Sequence, residues 1–167
     1  MRTNSHYYQK LAVALLLLIS ALSLFSCSQE LADESDPVVK NFEQQLKTYR
    51  GQVVYIDFWA SWCIPCRQTF PWMNAMLSKY KAQGFKVITI NLDSDKQNAD
   101  DFLQQYPAQF EVVYDPKGKL AQKFNLKGMP SSYLVDRKGN VVSSHTGFSD
   151  EKSKDYEQEI IDLLAQK

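Results

Sequence analysis

One stretch limits the possible folds more than any other. Val53-Val54-Tyr55-Ile56-Asp57-Phe58-Trp59-Ala60 is a continuous apolar, β-branched and aromatic run carrying a single acid. A strand covered on one face alternates apolar with polar residues, whereas a run without alternation belongs to a strand buried on both faces of a mainly parallel sheet. Such a sheet needs helices above and below it, so the chain is expected to be an α/β layered domain.

The remaining periodicity fits that frame. From Cys63 to Tyr80 the residues Phe70, Met73, Met76, Leu77 and Tyr80 recur at helical spacing, with Pro71 placed to kink the helix. Gly84 ends it, and Phe85 to Leu92 forms a second core strand. Asp95 caps a helix running to about Tyr106 with Phe102 and Leu103 inward, and Pro107 stops it. Phe110 to Tyr114 is a third strand, Asp115 to Gly118 a turn, and Leu120 to Phe124 a short helix. Ser132 to Val135 and Val141 to Ser144 flank a Gly-containing hairpin loop. From Asp150 the chain is helical, with Tyr156, Ile160, Ile161, Leu163 and Leu164 on one apolar face. The expected order is β-α-β-α-β-α-β-β-α; Val38 to Tyr49 reads equally as strand or helix.

The N-terminus is a separate matter. Arg2 and Lys10 precede a run from Leu11 to Phe25 broken only by Ser20 and Ser23, the pattern of a secretory signal peptide. A membrane-spanning helix would need about 20 apolar residues, and this run stops short at Cys27-Ser28-Gln29-Glu30. Residues 1–26 are therefore expected to be removed, 27–37 to form an acidic tether, and 38–167 to fold. Without residues 1–26 the chain holds 17 basic and 19 acidic side chains, a net charge of −2. That balance excludes the basic surface of a nucleic-acid binder, and 9 Phe, 9 Tyr and 3 Trp exclude a disordered chain.

Trp62-Cys63-Ile64-Pro65-Cys66 falls between the first core strand and its helix. In an exported chain two cysteines at this spacing are a structural disulfide, half a metal site or a redox dithiol. Position favours the last: a bridge closing so small a loop adds little stability. At a helix start, unpaired N–H groups and the positive dipole end lower a thiol pKa, which makes Cys63 the nucleophile. Pro65 fits the first turn, where it wastes no N–H, and Arg67 adds a cation after the pair.

The segment Asp57-Phe58-Trp59-Ala60-Ser61-Trp62-Cys63-Ile64-Pro65-Cys66 resembles the active-site segment of the thioredoxin superfamily, and within it the TlpA/ResA-like exported thiol-disulfide oxidoreductases. Pro71 resembles the family's helix-kinking proline. Gly128-Met129-Pro130-Ser131 resembles the loop whose proline is cis and faces the dithiol, and Asp95 to Tyr114 resembles the helix-plus-strand insertion of this branch. The resemblance covers about Leu46 to Lys167. It implies a thioredoxin-like fold, a central mixed sheet flanked by helices, with no cofactor. It also implies disulfide-containing exported proteins as clients, and a membrane-embedded thiol conduit as electron donor. Leu24-Phe25-Ser26-Cys27 resembles the lipobox of bacterial lipoproteins. Cys27 is then the lipid attachment point, anchoring the protein by lipid alone on the periplasmic side, with the outer membrane preferred because Ser28 follows the cysteine.

Each residue has a physical task in that reading. Asp57, mid-strand in a doubly buried run, is desolvated, which raises its pKa and poises it to move the proton of Cys66. Pro130 in the cis form presents the Met129 backbone to an incoming peptide as a strand edge. Trp62, beside Cys63, lines the docking surface or packs around the site, as Trp59 does. Thiol-disulfide exchange follows: Cys63 attacks, Cys66 resolves. The alternatives are a dithiol oxidant or isomerase using the same residues, a copper-binding module with His145 as third ligand, and a tethered interaction protein with an incidental dithiol. Asp93-Ser94-Asp95 opens like a calcium loop, but Asn98 and Gln104 stand where Gly and Glu belong.

Overall fold

The computed structural model describes residues 36–166. The signal peptide, Cys27 and most of the tether lie outside the described residues. Eleven elements follow in chain order: α1 (Pro37–Thr48), β1 (Val53–Trp59), α2 (Cys66–Tyr80), a 3₁₀ turn (Lys81–Gln83), β2 (Phe85–Asn91), α3 (Lys96–Gln105), β3 (Glu111–Tyr114), α4 (Lys119–Lys123), β4 (Ser131–Val135), β5 (Val141–Thr146) and α5 (Asp150–Ala165).

The ambiguous segment is a helix, and it starts at Pro37, one residue before the expected start of the folded part. Asp36 caps it, its carboxylate accepting from the Val38 N–H at 2.9 Å, with Pro37 in the first turn. Its Val39 and Phe42, three residues apart, are buried. Asp95 caps α3 as expected, accepting from the Gln97 N–H at 3.0 Å. Ser149 caps α5. In α5 Tyr156 and Ile160 are buried, but Ile161 turns outward and is 38% exposed. One position past Ile160 is a rotation of about 100° on a helix, enough to leave the stripe that faces the sheet.

The sheet order is β3-β2-β1-β4-β5. β1 and β2 are parallel, as are β2 and β3; β4 runs antiparallel to β1, and β5 antiparallel to β4. The expected insertion, α3 and β3, adds the outer parallel strand. Every residue of the central strand β1 is buried, and its side chains alternate between two cores. Val53, Tyr55 and Trp59 pack with Phe70, Met73 and Leu77 of α2, Phe102 of α3 and Ile160 of α5. Val54, Ile56 and Phe58 pack with Val39 and Phe42 of α1 and Leu120 of α4. Asp57 thus shares the α2 and α5 side with Tyr55 and Trp59.

The turn into β2 needs Gly84, which lies at φ +87° and whose carbonyl accepts from the Val53 N–H at 2.9 Å. Among the described residues no helix is long and apolar enough to cross a membrane.

Candidate active site

The loop leaving β1 is tied to the loop leaving β2 before it reaches the first cysteine. The Leu92 N–H donates to the Trp59 carbonyl at 2.9 Å. The Asp93 carboxylate accepts from the Ser61 N–H, the Ser61 hydroxyl and Asn91 Nδ2, while the Asp93 N–H donates to Asn91 Oδ1. Asn91 and Asp93 are both buried, so these polar groups satisfy one another where water does not reach. Behind them the Trp59 ring packs between Phe70 and Phe102 at 4.9 and 4.8 Å, its Nε1–H donating to Thr89 Oγ1 at 3.1 Å. Trp59 is therefore packing, as expected.

Cys63 and Cys66 form a disulfide, with an S–S distance of 2.01 Å and a Cα–Cα distance of 5.4 Å. The helix begins later than expected. α2 starts at Cys66, and Pro65, in α-region geometry, is its N-cap residue, so Cys63 lies in a tight turn ahead of it. The amides of that turn are also less free than expected. The N–H groups of Cys66, Arg67 and Gln68 donate to the carbonyls of Cys63, Ile64 and Pro65 at 3.2, 3.2 and 3.0 Å. A 3₁₀ turn ahead of a helix consumes its orphan donors in this way. Among the described residues nothing accepts from the Ile64 N–H. α2 runs unbroken through Pro71, and Arg67 is exposed.

The two sulfurs have different surroundings. Cys66 is fully buried at 0% exposure; Cys63 is 4% exposed, and that small exposed part lines an open groove of about 580 Å³. One wall of the groove is Trp62, Cys63, Ile64 and Pro65; the other is Leu126, Lys127, Gly128 and Met129. Trp62 is 66% and Ile64 70% exposed, large apolar groups held out to solvent beside the reactive pair. The opposite wall continues into the cis Met129–Pro130 peptide. Its loop is held by the Ser131 hydroxyl on the Gly128 carbonyl at 2.7 Å and by the Gly147 N–H on the Pro130 carbonyl at 2.8 Å. The structure thus brings Cys63, Trp62 and Met129 to one groove and puts Pro130 at its edge.

Asp57 is sealed, 1% exposed, and its Oδ2 has no hydrogen-bond partner among the described residues. Burial pushes its carboxyl well above the ordinary range, because an unpaired buried carboxylate is far costlier than the neutral acid. Tyr55, two residues away on the same face, is also pushed well up, first by burial and then by Asp57, with a hydrogen bond donated to its phenol oxygen by the Ser132 hydroxyl opposing. Sequence reasoning did not include Tyr55, Ser132 or Glu159 in this polar group; the signal was a pair of serines opening a strand whose other residues pack in the core.

The copper reading is not favoured. His145 Nδ1 meets Ser132 Oγ at 3.3 Å, and Nε2 meets Ser143 Oγ and both Glu159 oxygens at 3.1 Å. Among the described residues no group of three His, Cys, Asp or Glu is placed to hold a metal ion.

Comparison with known proteins agrees with this geometry. The family model for Redoxin matches residues 29–160. The thiol-disulfide oxidoreductase ResA of Geobacillus kaustophilus is 31% identical over 109 residues, 65% of this chain and 63% of that protein. The chain thus spans less than two thirds of the length of such curated relatives. A crystal structure described as thiol:disulfide interchange protein DsbE of Chlorobium tepidum is 51% identical, with a TM-score of 0.71, covering 72% of this chain and 85% of that one. A solution structure described as a protein disulfide isomerase of Bacteroides thetaiotaomicron is 26% identical, with a TM-score of 0.65, covering 72% and 79%. With a thioredoxin-like sheet, a cysteine pair at the end of its central strand and a family match over most of its length, this chain belongs to the Redoxin family.

Proposed function

We propose that this protein is an exported thiol-disulfide oxidoreductase that reduces disulfides of other exported proteins through Cys63 and Cys66. The observation that carries the reading is the asymmetry of the pair: Cys63 lines an open groove walled by exposed apolar side chains, while Cys66 is sealed beneath it. An incoming disulfide reaches only the first sulfur.

In the reduced protein the Cys63 thiolate attacks a client disulfide, forming a mixed disulfide and releasing one client sulfur as a thiolate. Cys66 then gives its proton to Asp57 and attacks the Cys63 sulfur, breaking the mixed bond and releasing the second client thiolate. The client gains two electrons, the Cys63–Cys66 bond forms, and the client thiolates take their protons from water. Beside Cys63 the Ile64 N–H has no acceptor among the described residues, and the positive end of α2 adds to it. The groove takes an extended peptide, with Trp62 and Met129 against its side chains and Pro130 closing the edge.

Returning the oxidised pair to its dithiol needs an electron donor, and a membrane-embedded thiol conduit fits an exported reductase. Residues 1–26 direct export, Cys27 carries lipid, and the acidic tether from 28 holds the domain off the bilayer. The outer membrane remains the preferred leaflet. The oxidant and isomerase readings use the same residues, and nothing in the groove favours them.

Trapping tests the function. Cys66→Ser should hold clients as covalent adducts on Cys63, identified by mass after non-reducing separation of the exported fraction, and Cys63→Ser should hold none. The reading fails if Cys66→Ser traps nothing, or if alkylation shows Cys63 titrating like a free cysteine near pH 8.5, the usual value for that thiol.

A further inference from the structure

Asp57 cannot serve as a base while it holds its own proton, and burial favours the protonated form. Before it takes the proton of Cys66 it has to lose one, yet it is 1% exposed. The strand register offers a way out. Asp57 on β1 is paired with Ser132 on β4, and Ser132 is paired with His145 on β5. Directly paired residues project to the same face with Cβ atoms about 5 Å apart, so the three side chains form a row across the sheet. The row is joined by hydrogen bonds from its middle outward: Ser132 Oγ to His145 Nδ1 at 3.3 Å, then His145 Nε2 to Glu159 of α5 at 3.1 Å. Burial falls along it, from the sealed Asp57 to the His145 side chain at 11% and the Glu159 side chain at 40% exposure. The Tyr156 ring lies against the imidazole at 4.0 Å and holds its plane.

We propose that Ser132, His145 and Glu159 are positioning residues that form a proton wire between Asp57 and solvent, setting when Asp57 is ready to deprotonate Cys66. The inference rests on the assignment of Cys66 as the resolving thiol. No hydrogen bond ties Asp57 to Ser132 among the described residues, so a passage begins when these two paired side chains turn onto one another: the Asp57 O–H bond breaks and Ser132 takes that proton while passing its own to His145 Nδ1. His145 releases its Nε2 proton to Glu159, and from there it reaches water. The imidazole exchanges tautomers, no electron moves, and passage in the opposite direction resets the ring. The other groups facing this row are Tyr55 from β1, neutral Thr89 from β2, neutral Ser143 on His145 Nε2 from β5, and Tyr156 with Asp155 near it from α5. Lys152 of α5 is held on the Thr146 carbonyl at 3.0 Å.

The test mixes reduced protein with a nitrobenzoate disulfide whose thiolate is coloured, in a stopped-flow instrument. The first coloured thiolate is released when Cys63 attacks, the second when Cys66 closes the bond. The rate ratio of second to first phase should fall about tenfold or more in Ser132→Ala and in Glu159→Gln, the scale of a lost proton-transfer step. The pH profile of the second phase should move in both variants. Imidazole buffer should restore the second phase of Glu159→Gln, whose lesion lies at the exposed end, without changing that of the parent. Glu159→Gln keeps its shape at a partly exposed site and so retains the fold. An unchanged ratio and pH profile in both variants would overturn the wire. A parent protein with no first phase would remove the dithiol reading, and the wire with it.

Discussion

Asp93 holds both hydrogens of Ser61, its carboxylate accepting from the backbone N–H at 2.9 Å and from the hydroxyl at 2.8 Å. Ser61 stands two residues before Cys63, so a side chain from the loop after β2 sets where the first sulfur emerges from β1. Asp93→Ala leaves the Ser61 amide and Asn91 Nδ2 without their acceptor. Urea unfolding should show a loss of about 1.5–3 kcal/mol, the range for hydrogen bonds to a charged group. The exchange rate should fall as well, because the turn carrying Cys63 loses its anchor.

Asp57 should make stability fall as pH rises. Its folded carboxyl lies well above the ordinary value of 3.8. Below that value both folded and unfolded chains hold the proton. Above it the unfolded chain releases the proton first, so stability declines with each further unit until the folded carboxyl also ionises. Asp57→Asn removes the titration. Its urea midpoint, measured against pH in the oxidised protein, should be flatter than the parent's above pH 4, and the two curves should diverge as pH increases. Parallel curves would count against a buried, proton-holding Asp57.

Trp62 should matter to clients and not to the fold. At 66% exposure it contributes little to the core, so Trp62→Ala should leave the unfolding midpoint within experimental error. Protein disulfides that fill the groove should lose about fivefold in kcat/KM, the scale of removing an aromatic anchor worth about 1 kcal/mol. A small aromatic disulfide, too short to reach the Trp62 wall, should react at the parent rate.

Arg137 binds four carbonyl oxygens at the far end of the sheet. Its guanidinium donates to Gly51 at 2.6 Å, Gln83 at 3.1 Å, Leu164 at 3.2 Å and Gln166 at 3.2 Å. Three separate parts of the chain are clasped by one planar cation, which a lysine cannot reproduce. Arg137→Lys should lower stability by about 1–3 kcal/mol in urea titration, with no change in the first-phase rate at Cys63, which lies at the opposite end of β1.

Much of the fold was legible in the sequence because its signals were local. The unbroken run from Val53 identified the central strand without knowledge of its neighbours, and Asp95 and Gly84 marked a helix start and a helix end by the chemistry of single residues. The segment from Val38 was not legible, since a short apolar stretch suits either period; the cap at Asp36 and the docking of Phe42 resolved it. The start of α2 was misplaced by three residues because a 3₁₀ turn and an α-helix carry similar residues, differing only in which carbonyl each N–H meets.

The cysteine pair, the buried acid on the preceding strand and the proline at 130 were all determined by the sequence, since each is a residue type at a spacing. Tertiary structure decided which sulfur faces the groove, that Ile161 turns away from the sheet, and that Ser132, His145 and Glu159 stand in line with Asp57. Those residues are 13 to 102 positions apart, brought together by strand register and helix docking. Register depends on pairing between distant segments, and no local pattern of side chains encodes it.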